Sequence, residues 1–152
     1  MEALQPRHVV VDDSTPGRLL TIADLTVGDS ASQSVTFTVE LREAFHALAN
    51  DSAPVHVDAE FARAIGYDAP ILQGLCVTSR FSRLIGMHLP GEGAVIESLM
   101  FKFRKPVYAG RPVEYRVEVV RILRALRVAR LKLTVKSDDQ LCISGEAQCL
   151  LR

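Results

Sequence analysis

Residues 45–75 read FHALANDSAPVHVDAEFARAIGYDAPILQGL. Two helix-like runs meet here at a turn built around Pro54. In the first, Leu41, Phe45 and Leu48 fall on one face at helical spacing, and Thr38 is placed to cap it. This helix should stop at Asn50-Asp51, because Pro54 drives Ala53 into an extended conformation. Asp58 can cap the second run, Ala59 to Ile65, which Gly66 ends. Pro70 then leads into a longer helix of roughly Gln73 to His88. Its apolar residues, Leu75, Cys76, Val77, Phe81, Leu84, Ile85 and Met87, spread over more than one face, as expected of a helix enclosed by other elements.

Outside this segment the pattern has period two. Ser34–Val39 alternates as a half-buried strand does, and Ala94–Phe103 reads as another. Val113, Tyr115, Val117 and Val119 alternate with Glu114, Arg116 and Glu118, and Ala129, Leu131, Leu133 and Val135 with Arg130, Lys132, Thr134 and Lys136. Leu141, Ile143, Ala147 and Cys149 continue after the Asp138-Asp139 turn. Three runs joined by short turns predict an antiparallel meander. The fold class is therefore α+β, an antiparallel sheet wrapped around one long helix. Residues 1–24 read as an N-terminal arm with a possible first strand at His8–Val11, and residues 25–152 as the domain proper.

Composition excludes several functions. Lys plus Arg equals Asp plus Glu, at 18 each, so no net field favours nucleic acid or an anionic membrane, and no basic run carries interleaved aromatics. No apolar stretch is long enough to span a bilayer as a helix. The opening MEALQPRHVVVDDS lacks the basic and apolar regions of a secretory leader, and a cytoplasmic location is expected. Cys76, Cys142 and Cys149 have no CxxC spacing and are expected as reduced core thiols. The four histidines are too scattered for a zinc signature, and no phosphate-binding glycine loop appears. Neither a metal nor a cofactor is expected.

Asp51 and His56 are the residues with chemistry to offer. A carboxylate and an imidazole on one turn can share a water and move a proton near neutral pH. Taken singly, Asp51 is an ordinary helix-ending turn residue and His56 an ordinary structural histidine. The sequence D-S-A-P-V-H, followed by P-I-L-Q-G and then F-x-K-P-V-Y-A-G, gives them a context. In that order the motifs resemble the MaoC-like dehydratases, a hotdog-fold family that includes the (R)-specific enoyl-CoA hydratases. The resemblance runs from about Leu25 to the C-terminus. Asp51, Pro54, Val55, His56 and Ala62 match the family's D-x-N-P-[apolar]-H-x5-A signature in place. Ser82–Pro90 with Gly91-Glu92-Gly93 looks like the helix exit of the (R)-hydratases. Ala53 departs from the signature asparagine, Gln73 from the usual histidine, and Arg111 from a frequent aspartate.

The resemblance implies reversible hydration of a 2-enoyl-CoA thioester to the (R)-3-hydroxyacyl-CoA. Asp51 and His56 would hold the catalytic water. Gly74 would donate its backbone N–H to the thioester carbonyl, and Ser82 would contribute to the pocket on the central helix. CoA, with an acyl-carrier protein as the alternative carrier, would be part of the substrate, and the protein would be a homodimer. Two other readings stay open at this point: a hotdog thioesterase, and a non-catalytic acyl-CoA-binding or assembly subunit. The plainer reading of Lys102, Arg104 and Lys105 is a solvated strand face, and the sharper one is contact with CoA phosphates. Phe101 and Phe103 are expected in the core.

Overall fold

The computed structural model describes residues 5–152, so residues 1–4 of the expected arm lie outside it. The strands are β1 (His8–Val10), β2 (Ser30–Thr36), β3 (Ala94–Phe103), β4 (Pro112–Leu123), β5 (Val128–Ser137) and β6 (Gln140–Leu151). They form one six-stranded sheet in the order β1-β2-β4-β5-β6-β3, with antiparallel pairings except between β1 and β2. The meander β4-β5-β6 and the bounds of β3 follow the sequence expectation. β2 lies earlier than expected, because Thr38 has already left the strand to cap the next helix, accepting from the Leu41 N–H.

The arm does not stand apart from the sheet. β1 pairs with β2 in parallel, and the Arg7 guanidinium meets the buried Asp29 carboxylate at 3.0 Å. Burial would push the Asp29 carboxyl up. The Arg7 guanidinium, with the N–H groups of Arg7 and Thr26, outweighs it and holds the group below its usual range.

The helices are α1 (Val39–Ala49), α2 (Pro54–Val57), α3 (Ala59–Ala64), α4 (Gly74–Thr78) and α5 (Arg80–Arg83), with a wider π-type turn over Leu84–His88. Asn50 ends α1 in the left-handed conformation, and Asp58 caps α3 through the N–H groups of Glu60 and Phe61. The expected long helix from Gln73 to His88 is present as a rod with irregularities. The hydroxyls of Thr78 and Ser79 donate back to the carbonyls of Leu75 and Cys76, a pattern that bends helices. At this break the buried Tyr115 hydroxyl, from β4, donates to the Val77 carbonyl at 2.8 Å.

Phe81, Leu84 and Ile85 on the rod are fully buried against Tyr115, Leu131, Leu133 and Val135 of the sheet. The helix is thus enclosed on most sides, as its all-round apolar pattern required. By contrast, α1 buries no residue, and Leu48 is 82% exposed. Of its apolar face, Phe45 packs against the core, while Leu41 and Leu48 stay exposed.

Over the far end of the rod runs the arm. Arg83 donates to the backbone carbonyls of Asp12, Asp13 and Thr15 at 3.0–3.2 Å, and Arg80 pairs with the Asp13 carboxylate at 3.0 Å. The Arg18 N–H donates to the Met87 carbonyl. Beneath this strap His88 is completely buried.

Candidate active site

Asp51 follows the αL residue Asn50, and its position is fixed by its neighbours. His46 Nδ1 donates to the Asp51 carbonyl at 2.8 Å, and the Ala53 N–H donates to Asp51 Oδ1 at 3.1 Å. The turn therefore braces Asp51 through the backbone of residue 53, where the family signature has an asparagine side chain. Oδ2 remains free. Ala53 is extended, as Pro54 demands, and Pro54 then opens the short helix α2 rather than continuing an open turn. A proline is well suited to this first helical position.

That single helical turn aims His56. Its Nδ1 lies 2.8 Å from the Ile71 carbonyl, while the Ile71 N–H donates to the Val55 carbonyl. A carbonyl can only accept, so Nδ1 carries a proton, and the neutral tautomer this selects has a bare Nε2. Nε2 stands 3.8 Å from Asp51 Oδ2, with the His56 side chain 14% exposed and that of Asp51 39%. The gap is too long for a direct hydrogen bond and suits one solvent oxygen touching both groups.

His56 lines a cavity of about 400 Å³ whose apolar wall includes Leu72, Leu75, Val77 and Ile143. Gly74 lines the same cavity, at the first position of α4, where a backbone N–H has no partner within its helix. A side chain here would have to displace the Phe103 ring, since a Cβ on Gly74 would come 2.5 Å from Cε1 of Phe103. Phe103 is 55% exposed and walls the cavity, so the expected core residue is a lid over Gly74. Its neighbour Phe101 does pack on the core, stacked on Phe81 at 5.7 Å. β3 is an edge strand, and on its inner face Phe101 meets the Phe81 ring of the rod, whereas Phe103 meets Gly74, which has no side chain to cover it.

Arg104 and Lys105 are exposed, as a solvated face requires, yet both also line the cavity. Tyr67 and Ile71 join them there; no periodicity marks these loop residues, and their order around a proline was the available signal. Asp51 is not itself a wall residue and reaches the site through His56. Ser82 is exposed and lies outside the cavity lining. It sits eight residues beyond Gly74, roughly 12 Å along a helix, so within one chain it is not brought to the Asp51–His56 pair.

Thiol chemistry has no place in this site. Cys76, Cys142 and Cys149 are free and buried, and burial pushes all three thiols up, Cys149 to about 12. Among the described residues no group of His, Cys, Asp and Glu is arranged to hold a metal ion.

Comparison with known proteins gives consistent results. The MaoC like domain model matches residues 26–139. An (R)-specific enoyl-CoA hydratase of Aeromonas caviae is 34% identical over 124 residues, which cover 81% of this chain and 92% of that protein. A mitochondrial 3-hydroxyacyl-(acyl-carrier-protein) dehydratase of Solanum lycopersicum is 33% identical over 147 residues, covering 95% of this chain and 85% of that protein. Among solved structures, an (R)-hydratase from A. caviae involved in PHA biosynthesis superposes with a TM-score of 0.80 at 33% identity, covering 85% of this chain and 98% of that one.

Proposed function

The chain belongs to the MaoC-like domain family, with the hotdog fold of its relatives, and on that premise we propose how its site performs a hydro-lyase reaction. The reaction is reversible hydration of a 2-enoyl-CoA to the (R)-3-hydroxyacyl-CoA. The observation that carries it is the Asp51–His56 pair at 3.8 Å beside the cavity that Gly74 also lines.

In the hydration direction a water shared by Asp51 Oδ2 and His56 Nε2 adds its oxygen to C3 of the enoyl group. The pair takes one proton from that water and returns a proton to C2, so it ends the cycle as it began. Between these events negative charge moves onto the thioester oxygen. The Gly74 N–H is the donor for it, in a helix-start position whose dipole favours an anion. A preorganised donor of this kind contributes about 3 kcal/mol in enzymes where one has been removed. Phe103 keeps solvent from the Gly74 N–H, which strengthens that bond. No metal or separate cofactor enters this scheme, and CoA is part of the substrate.

The finer points are also our reading. Arg104 and Lys105 at the cavity mouth suit an anionic carrier, either CoA or an acyl-carrier protein, and relatives named for each are known. A homodimer is supported by β3, a ten-residue edge strand with Leu99 46% and Phe103 55% exposed on the face turned toward the rod. A second copy would cover both. Buried, unpaired thiols favour a reducing compartment such as the cytoplasm.

Purified protein mixed with crotonyl-CoA tests the reaction. Enoyl absorbance should fall with no release of free thiol, and the product should be the (R)-alcohol. Thiol release would instead identify a thioesterase, and binding without turnover an assembly subunit.

A further inference from the structure

The sheet has a second face, turned away from the rod, that the hydration reaction does not use. Across β3, β6, β5 and β4 this outer face forms an open depression of about 800 Å³. Five cations line it: Lys102, Arg104, Arg121, Arg130 and Lys132. Glu146 is the lining residue that opposes them. All five cations are exposed, and among the described residues none has a carboxylate within ion-pair distance. Because the whole chain has no net charge, concentrating five cations here leaves the rest of the surface net negative.

Three further features make this more than a charged surface. Two guanidiniums are held in place, Arg104 donating to Ser144 Oγ at 3.0 Å and Arg130 to Gln148 Oε1 at 3.2 Å. Their forks therefore lose less freedom on meeting an anion. Met100 and Val120, 53% and 44% exposed, supply an apolar floor between the cations. Arg104 also lines the cavity that holds His56 and Gly74, so the depression and the reaction site share a wall.

We infer that this outer face docks the acidic surface of an acyl-carrier protein, which delivers its thioester arm past Arg104 into the cavity. The inference rests on the hydratase reading and names the carrier for that same site. Carrier proteins of this class are small, acidic and helical, with exposed apolar side chains among their carboxylates, which complements a basic rim around an apolar floor. A second copy of this chain is a poor occupant, since a two-fold contact would bring the same five cations face to face. Pairing along the β3 edge would leave the outer face open.

The double variant Arg130→Glu/Lys132→Glu tests it, because both side chains are exposed on β5 and neither lines the reaction cavity. Three substrates are compared: crotonyl thioesters of an acidic bacterial acyl-carrier protein, of CoA and of N-acetylcysteamine. The variant should lose at least tenfold in kcat/KM on the carrier thioester and stay within twofold on the other two. Added salt should slow the unaltered protein on the carrier thioester and leave the variant nearly unchanged. Equal carrier rates in both proteins would overturn the inference. A parallel loss on CoA, with the N-acetylcysteamine rate kept, would assign the face to nucleotide phosphates and overturn it too. A change in oligomeric state on sedimentation would assign it to a second copy. Calorimetric titration of the crotonyl carrier gives a readout without turnover: tight binding lost in the variant supports the dock, and no binding to the unaltered protein sinks it. Absence of hydration on all three thioesters would count against the reaction itself.

Discussion

His56 and His88 are the same side chain at opposite ends of one enclosed rod, in contrasting surroundings. His56 has one nitrogen fixed by the Ile71 carbonyl and the other turned toward a cavity beside a carboxylate. His88 is fully buried, finds no hydrogen-bond partner on either nitrogen among the described residues, and has Arg83 and Arg18 as its charged neighbours. A free ring nitrogen is a reagent where substrate can reach it, and a weakness where the protein closes over it. The Gly74 end of the rod is left open for chemistry. At the His88 end the arm seals the structure.

The largest test of this contrast is at the open end. Asp51→Asn keeps an acceptor for the Ala53 N–H and so preserves the turn, but it removes the carboxylate. It should cut kcat for crotonyl-CoA by about 10²–10⁴ while the urea midpoint barely moves. His56→Ala should do the same to kcat, with a small stability loss from the bond to Ile71. Retained activity in either variant would leave the pair a structural feature.

Next comes the sealed end, where the signs reverse. Arg83→Ala removes donors to three carbonyls of the arm and should cost about 2 kcal/mol of unfolding free energy, read by urea titration. Activity per folded molecule should be unchanged. If activity fell and stability held, the division between the two ends would be wrong.

The smallest effect is a dependence on pH. Burial, followed by the positive charges of Arg83 and Arg18, pushes the His88 ring below its ordinary value. As pH falls below about 6.5, the ordinary histidine value, the unfolded chain gains a proton that the folded one refuses. Stability should therefore decline through that window and be complete above it. His88→Leu should flatten the decline between pH 7 and pH 5, because the carboxylates that titrate lower contribute equally to both proteins. Parallel slopes would mean that His88 is protonated in the fold.

Much of this was legible in the sequence because the signals were local. Thr38 and Asp58 cap the helices they were expected to cap, and the alternating runs of β4, β5 and β6 fix which residues face the rod. The Asp51–Pro54–His56 spacing is itself a turn, so the pair came together as read. What was not legible depends on partners distant in sequence. Leu41, Phe45 and Leu48 have a helical period, but nothing local says that Phe45 alone reaches the core while Leu41 and Leu48 are left exposed. Phe101 and Phe103 share a strand face, and the partner each meets on the rod, the Phe81 ring or the bare Gly74, makes one core and the other lid. The break at Ser79 arises from hydroxyls that look, in sequence, like neutral helix residues. Ser82 owed its place to the resemblance, and its position two turns from Gly74 is set by helix geometry.

The bond from the Tyr115 hydroxyl to the Val77 carbonyl has a practical consequence. The protein has no tryptophan and three tyrosines, and they divide between two reporting positions. Tyr115 is locked at the helix break, where burial pushes its phenol up. Tyr67 lines the cavity, and the Tyr108 oxygen accepts from the Asp68 N–H nearby. In alkaline difference spectroscopy the Tyr115 phenolate band should emerge only as the chain melts. The fluorescence of Tyr67, by contrast, is free to respond when a thioester fills the chamber. The unlabelled molecule thus carries one intrinsic chromophore for its integrity and another for its occupancy.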